Sequence, residues 1–333
     1  MTLLTTNIRL RSSFPRARRG SGDPCSGGAR ACRDDVPDAA ARDRRHLRAI
    51  ARRTLVVLAA VVSAAPPRAA AGTEPGGSRT TVSGDTAARL GPGGVVVFAG
   101  AVRRWAVEDG EGVLLRGRYL ELGGAVGVNP AYLQAGPHVE WVPVALLQLR
   151  AQYDLYGFFG ANGALLRFPS AASRFGDGEI KAAGGTETTG LGHRLLISPV
   201  LRARIGRVVL RSQTDLAWFA LSSTAGWFYE WEYDTLVARR GLVVSNRTAL
   251  LFELWHGPGE ATLLVGPGYE ITHSTTADIT RQRAEGVVFW SPVETFGRFA
   301  RPRIFLLAGV NLADRNRGHD PFAVLGVGID LDR

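Results

Sequence analysis

The chain is poor in several residues that carry familiar chemistry. Of 333 residues, one is lysine, one is methionine and two are cysteine. Both cysteines, Cys25 and Cys32, precede position 72, so the 262 residues from Gly72 onward hold no thiol. A disulfide framework, a cysteine-ligated zinc site and a cysteine nucleophile are therefore excluded over most of the chain. Long apolar runs are also missing. The run Thr54–Ala65 has 12 residues, below the roughly 20 that a helix needs to cross a bilayer, and no later apolar run approaches that length. Net charge of one sign is missing too, once its distribution is followed. Of the formal charge of +10, +9 resides in residues 1–71, which carry 14 Arg and five acids, whereas the rest of the chain holds 26 basic and 25 acidic groups. A nearly neutral body argues against a nucleic-acid partner. The nucleophile elbow G-x-S-x-G, the zinc motif H-E-x-x-H and a phosphate loop are absent. No spacing among the histidines suggests a metal, and no cofactor is expected.

What is present begins with a leader. Arg44, Arg45, Arg48, Arg52 and Arg53 precede Thr54–Ala65, which is followed by Pro66, Pro67 and Ala69-Ala70-Ala71. A basic start, a short apolar centre and a small-residue end form a secretory signal, with cleavage expected between Ala71 and Gly72. Residues 1 to about 43, rich in Arg, Asp, Gly and Ser, have no periodicity, and the arrangement predicts an overextended start with translation nearer Leu47. Residues 1–71 are thus read as a removed extension, 72–93 as a flexible tail, and 94–333 as the folded body.

In that body, period two dominates. Trp141, Pro143, Ala145, Leu147, Leu149, Ala151, Tyr153 and Leu155 alternate with a face that becomes Gln148, Arg150, Gln152 and Asp154. Leu195, Ile197, Leu201 and Ile205 alternate with Ser198, Arg202 and Arg204. Val208, Leu210, Leu216 and Trp218 oppose Arg207, Arg211, Gln213 and Asp215; Leu250, Phe252 and Leu254 oppose Arg247 and Glu253; Tyr269 and Ile271 oppose Glu270. A soluble sandwich also alternates, but its strands run ~5 to 6 residues, whereas a tilted membrane strand needs ~9 to 11. The observed runs have the longer span, which predicts an all-β, antiparallel, up-and-down transmembrane barrel.

The last strand, Gly326-Val-Gly-Ile329-Asp-Leu331-Asp-Arg333, carries the glycine, hydrophobic, x, hydrophobic order of a terminal assembly signal. In this the body resembles Gram-negative outer-membrane β-barrel proteins. Val324 stands where a polar residue is usual, and Arg333 replaces a terminal aromatic. The resemblance implies an outer-membrane location, contact with membrane lipid and lipopolysaccharide, and partnership with periplasmic chaperones and the barrel-assembly machinery, which would read Gly326, Ile329 and Leu331. It also implies that both termini lie in the periplasm. Counting backward from Leu331 on that basis gives about ten strands, starting near 113, 131, 144, 195, 207, 242, 261, 285, 303 and 322, with 159–193 and 221–241 as outer loops. The alternative of twelve would add 94–106 and 227–238.

The inward faces collect Arg150, Arg202, Arg204, Arg207, Arg211, Arg247 and Arg303 with Asp154, Asp215, Glu253, Glu270, Glu294 and Asp330. Such a set is either a salt-bridge lattice that fills a narrow barrel or the wall of a small-solute path. A second cluster, Trp227, Tyr229, Trp231 and Tyr233 alternating with Glu230, Glu232 and Asp234, reads as a hairpin extending the barrel beyond the membrane or as a surface site for a cation or glycan. Catalytic residues are not assigned. The triplet His273, Ser274 and Asp278 offers a base, a nucleophile and a carboxylate, but adjacent strand residues point to opposite faces. The expected role is a structural barrel or a narrow small-solute channel. The alternatives are a membrane-embedded hydrolase and a soluble periplasmic barrel with its apolar faces turned inward around an apolar ligand.

Overall fold

In the computed structural model, the residues described are 77–107, 113–163, 165–222, 226–257, 261–296 and 299–332. The leader and its cleavage point lie outside them. Among the described residues no helix is long and apolar enough to cross a membrane. Twelve long strands dominate: β1 (Ser78–Leu90), β2 (Gly94–Ala106), β3 (Tyr119–Val128), β4 (Tyr132–Val144), β5 (Leu147–Phe159), β6 (Thr189–Ile205), β7 (Val208–Leu221), β8 (Arg240–His256), β9 (Thr262–Ser274), β10 (Ile279–Ser291), β11 (Phe299–Ala313) and β12 (Pro321–Asp332). Each pairs antiparallel with the next, and β12 pairs back onto β1 from Asp332 opposite Thr81 to Ala323 opposite Leu90. The ring is closed and leaves no sheet edge, the condition for strands in a medium that cannot hydrogen-bond a bare backbone.

The count is twelve, not the preferred ten, and its two extra members differ in part from those the twelve-strand alternative named. The ten expected strands correspond to β3–β12. β2 covers 94–106 as that alternative proposed, but the other addition is Ser78–Leu90 and not 227–238. Most of the segment read as a tail is therefore barrel wall. The reason is compositional: Thr81, Ser83 and Asp85 face the lumen, and the opposite face offers Val82, Gly84, Thr86 and Ala88, too small to register as a greasy stripe before Leu90 at the strand's end. What holds β1 is its full pairing on both sides, information that no local window contains.

The barrel is apolar outside and polar inside. Leu122, Leu133, Leu155, Ile197, Leu201, Phe252, Leu254, Leu325 and Val327 are all exposed, whereas Gln152, Asp154, Arg194, Ser198, Glu270, Arg281 and Arg283 are buried. A water-soluble barrel around an apolar ligand requires the reverse, so that alternative does not describe this chain. Outward-facing Trp105, Trp141 and Trp290 lie near the end where Ser78 and Asp332 stand, where amphipathic rings suit a headgroup boundary. At that end β4–β5 and β6–β7 are joined by only two residues each, 145–146 and 206–207. The long connections, 160–188 and 222–239, gather at the other end with 91–93, 129–131, 275–278 and 314–320.

Those long connections do not simply rise away from the barrel. Arg167–Phe168, Trp227–Glu230 and Thr235–Ala238 form a small three-stranded ribbon, and the loop before β6 adds the short helix α1 (Asp177–Ala182). One side of the ribbon packs Phe228, Tyr233 and Val237 against inward-facing Leu196, Ala217, Phe219 and Val243 of the wall. The other joins Tyr229 and Leu236 to Phe168, Phe175, Ala277 and Ile279. Phe228 and Leu236 are completely buried, each side chain contributing about 1.5–3 kcal/mol to docking. The hairpin is thus seated within the loop-end mouth, not extended beyond it.

Candidate functional site in the barrel lumen

The tip of the hairpin is held by arginines of the wall and of the turn 314–320. Trp231, Glu232, Tyr233 and Asp234 make the turn, with Asp234 at φ +50°. The Asp234 carboxylate receives Arg317 Nε and Nη2 at 2.8 and 3.0 Å, Arg283 Nη2 at 3.0 Å and the Tyr229 hydroxyl at 2.7 Å. Arg281 Nη1 and Arg89 Nη2 stand at 3.4 and 3.5 Å. Arg89 also donates to the carbonyl of Trp231 at 2.8 Å, and Arg281 to that of Tyr233. Burial alone would raise the Asp234 carboxyl, but Arg89, Arg281 and Arg317 more than reverse this and hold it at about 2. Beside it, burial and the charge of Glu232 raise half-buried Glu230 to about 7. Glu230 accepts the Tyr233 amide at 2.7 Å, and Glu232 pairs with Arg194. Of the three carboxylates read as a cation or glycan ladder, Asp234 and Glu232 therefore pair with arginines of the surrounding barrel, and Glu230 caps the turn of its own hairpin. Trp227 and Trp231 pack with the loop core, and Trp231 also reaches the apolar part of the inner wall. Among the described residues no three of His, Cys, Asp and Glu converge as metal ligands.

Below the hairpin lies a cavity of about 570 Å³, roofed by Glu232 and Tyr233 and reaching Arg104, Tyr119, Arg202 and Arg301 towards the terminus end. On the β8–β2 side, Phe98, Ala249, Val287 and Leu307 line it among Asp85, Arg247, Glu270, Arg303 and Asp330, and they continue a buried cluster with Ala87, Val96, Leu251 and Phe305. Two glycines admit the rings there: a Cβ on Gly326 would lie 2.3 Å from Phe305, and one on Gly127 would lie 2.4 Å from Phe98. The β3–β7 side is polar. Arg104 meets Glu121 at 2.8 Å, and Tyr119 donates to Glu140 at 2.6 Å.

The charges expected in the lumen divide into three groups. One closes the ring: Arg303 of β11 binds Asp85 of β1 at 2.8 Å and Asp330 of β12 at 2.9 Å. A second braces the wall. Asp154 takes Arg194 at 2.8 Å; Arg247 pairs with Glu270 and, at 3.1 Å, Glu285; Glu270 also binds Arg281. Glu253 takes Arg204 at 2.6 Å towards the terminus-end rim, where the Arg204 side chain is 55% exposed. The third is Arg150, Arg202 and Arg211, whose partners are neutral. Arg207 and Glu294 are corrections to the sequence reading. Both are exposed in the connections 206–207 and 292–298, because the chain turns there and the strand alternation does not reach them. Gly326 faces inward beneath Phe305, while Ile329 and Leu331 alternate outward on β12.

The triplet His273, Ser274 and Asp278 is not brought together. His273 Nδ1 meets Thr280 Oγ1 at 2.9 Å on the exposed side, whereas the fully buried Ser274 donates to the Leu236 carbonyl at 2.7 Å. His193, expected in a loop, lies on β6 with Nδ1 2.6 Å from the Tyr153 hydroxyl. Sequence reasoning missed Arg89, Arg194, Arg281, Arg283 and Arg317, the residues that grip the hairpin. The alternation Arg281, Arg283, Glu285 carried a signal for two of them.

No family model and no curated protein sequence matches the chain. Among solved structures it is similar to the beta domain of the Bordetella autotransporter BrkA, at 11% identity over 76% of this chain and 98% of that one, with a TM-score of 0.38. It is also similar to the translocator domain of the autotransporter NalP from Neisseria meningitidis, at 14% identity over 86% and 97%, TM-score 0.36. An outer membrane channel from Pseudomonas putida F1 aligns at 12% identity over 81% and 100%, TM-score 0.36. The closed ring, the apolar belt and the charged interior define a transmembrane β-barrel of twelve strands.

Proposed function

We propose that this protein is a barrel of the Gram-negative outer membrane whose lumen is a narrow, gated passage for small solutes, with the Trp227–Ala238 hairpin as the gate. The observation that carries this reading is a latch over a cavity. The hairpin belongs to no strand pair of the ring, and ion pairs to Asp234 and Glu232 hold its tip above about 570 Å³ of space lined by charged and apolar side chains together. A barrel needing only interior filling has no use for that space. Export by the leader, contact with lipopolysaccharide around the outer rim, and handling of β12 by chaperones and the barrel-assembly machinery belong to the same proposal.

Planar-bilayer recordings test it. The parent barrel is expected to be mostly closed with brief openings, and Asp234→Ala/Arg317→Ala to stay open for longer. If proteolysis demonstrates that the doubly substituted hairpin is released while both proteins remain silent, the gate reading is wrong and a structural barrel replaces it.

A further inference from the structure

The polar wall contains a repeated element. Leu149-Arg-Ala-Gln-Tyr-Asp-Leu155 on β5 and Leu210-Arg-Ser-Gln-Thr-Asp-Leu216 on β7 share the pattern L-R-x-Q-x-D-L. The two strands flank β6 and run in the same direction. Strand alternation sends arginine, glutamine and aspartate of each copy into the lumen and both leucines to the lipid. The hydrogen bonds repeat as well. Arg150 Nη2 donates to Gln152 Oε1 at 2.7 Å, and Gln152 Nε2 to Asp154 at 2.7 Å; Arg211 Nη2 donates to Gln213 Oε1 at 2.6 Å, and Gln213 Nε2 to Asp215 at 2.9 Å.

In both copies the glutamine separates the guanidinium from the acid, which has a second partner on the neighbouring strand: Arg194 for Asp154, and Ser198 for Asp215 at 2.6 Å. Between the copies, β6 contributes Arg202, directly opposite Arg211 in the strand register. Arg202 donates to the Ala145 carbonyl at 3.2 Å and to Gln148 at 3.4 Å. Among the described residues, none of the three guanidiniums has a carboxylate within the 4.0 Å of an ion pair, and Arg150 Nε is buried without an acceptor. Like charges facing each other across a strand pair cost stability. Three arginines sharing one cavity wall bond only neutral acceptors, while Glu140, opposite Arg150 in the strand register, and Asp215 lie on the same cavity beyond ion-pair distance, so an entering anion can supply the direct partner they lack.

We infer that Arg150, Arg202 and Arg211 form a binding site for a small oxyanion, a carboxylate or phosphate group that docks against their guanidinium edges. The inference rests on the passage reading in one respect, that solute reaches the cavity, and it names the class of solute the passage selects.

Titration calorimetry of the folded barrel in non-ionic detergent at low chloride tests the site, with inorganic phosphate, acetate and calcium as probes. Phosphate is expected to bind at least 10-fold more tightly than chloride, with calcium not binding, and Arg202→Gln and Arg211→Gln each to weaken phosphate by 10-fold or more. Acetate binding as well as phosphate would assign a carboxylate solute, and phosphate alone a phosphorylated one. Gel mobility before and after boiling reports whether each variant is folded; Arg150→Gln replaces any that is not. Phosphate binding no tighter than chloride, or folded variants that bind as the parent does, would overturn the site. A parent barrel that binds phosphate but does not conduct keeps the site and removes the passage. One that conducts without binding phosphate removes the site.

Discussion

Arg317, on the turn between β11 and β12, grips Asp234 at the tip of the hairpin through two nitrogens, Nε to Oδ2 at 2.8 Å and Nη2 to Oδ1 at 3.0 Å. The residues are 83 positions apart in the chain. Their contact joins the Trp227–Ala238 hairpin to the last hairpin of the ring, and three further arginines focus on the same carboxylate.

Replacing Asp234 by Ala leaves Arg89, Arg281, Arg283 and Arg317 facing one another without their shared counter-charge. Removing one partner from a buried pair costs about 3–5 kcal/mol, which falls on hairpin docking and not on the ring. Hydrogen exchange should report protection lost across 227–238 and retained in β1–β12. Equal loss in both would mean that the hairpin is part of the barrel's own stability.

Docking should also depend on pH, with two limbs of opposite sign. Asp234 is lowered from 3.8 to about 2, so its contribution is complete above 3.8 and is lost as pH falls towards 2. Glu230 is raised from 4.5 to about 7, so the docked hairpin loses stability relative to the released one as pH rises from 4.5 to 7. Docking is expected to be tightest near pH 4 to 5. Fluorescence of Trp227 and Trp231 against pH would follow it, and Glu230→Gln should flatten the upper limb alone.

Gly326 lies beneath the Phe305 ring with room for hydrogen only, since a Cβ there falls 2.3 Å from Cε1. Gly326→Val should displace the ring and cost about 1–3 kcal/mol by overpacking. Phe305→Ala in the same chain should recover part of it, measured as the temperature at which gel mobility changes. Failure of the second change to help would assign the defect to assembly by way of β12.

Arg303 neutralises Asp85 and Asp330 on either side of the β1–β12 pair. Arg303→Met leaves Asp85 without its cation, while Asp330 keeps Arg301 at 3.2 Å, and should lower the temperature of the mobility change. Adding Asp85→Asn should restore most of the loss, because the cost is the uncompensated charge more than the missing bonds.

The barrel was legible in the sequence where one face meets lipid. Leu147, Leu149, Tyr153 and Leu155 against Gln148, Arg150, Gln152 and Asp154 specify period, register and polarity at once, and the structure keeps all three. Legibility fades where strands leave the hydrocarbon. β6 starts at Thr189 and β10 at Ile279, each well before the expected 195 and 285. Outward positions such as Thr280 and Gln282 carry no greasy signal, so Arg194, Arg281 and Arg283 were lost with those strand ends. The hairpin failed for another reason. Trp227 to Asp234 alternates like any ribbon, and whether it stands outside or folds inward is decided by Arg89 and Arg317, which no local pattern connects to it.

The ring is shut by joining its earliest strand to its latest. A polypeptide that has delivered β1 must wait for β12 before either obtains its second neighbour, so assembly is all or nothing and no truncated product can be a smaller working version. Quality control in the envelope would then need to inspect only one seam to know that the whole molecule has arrived.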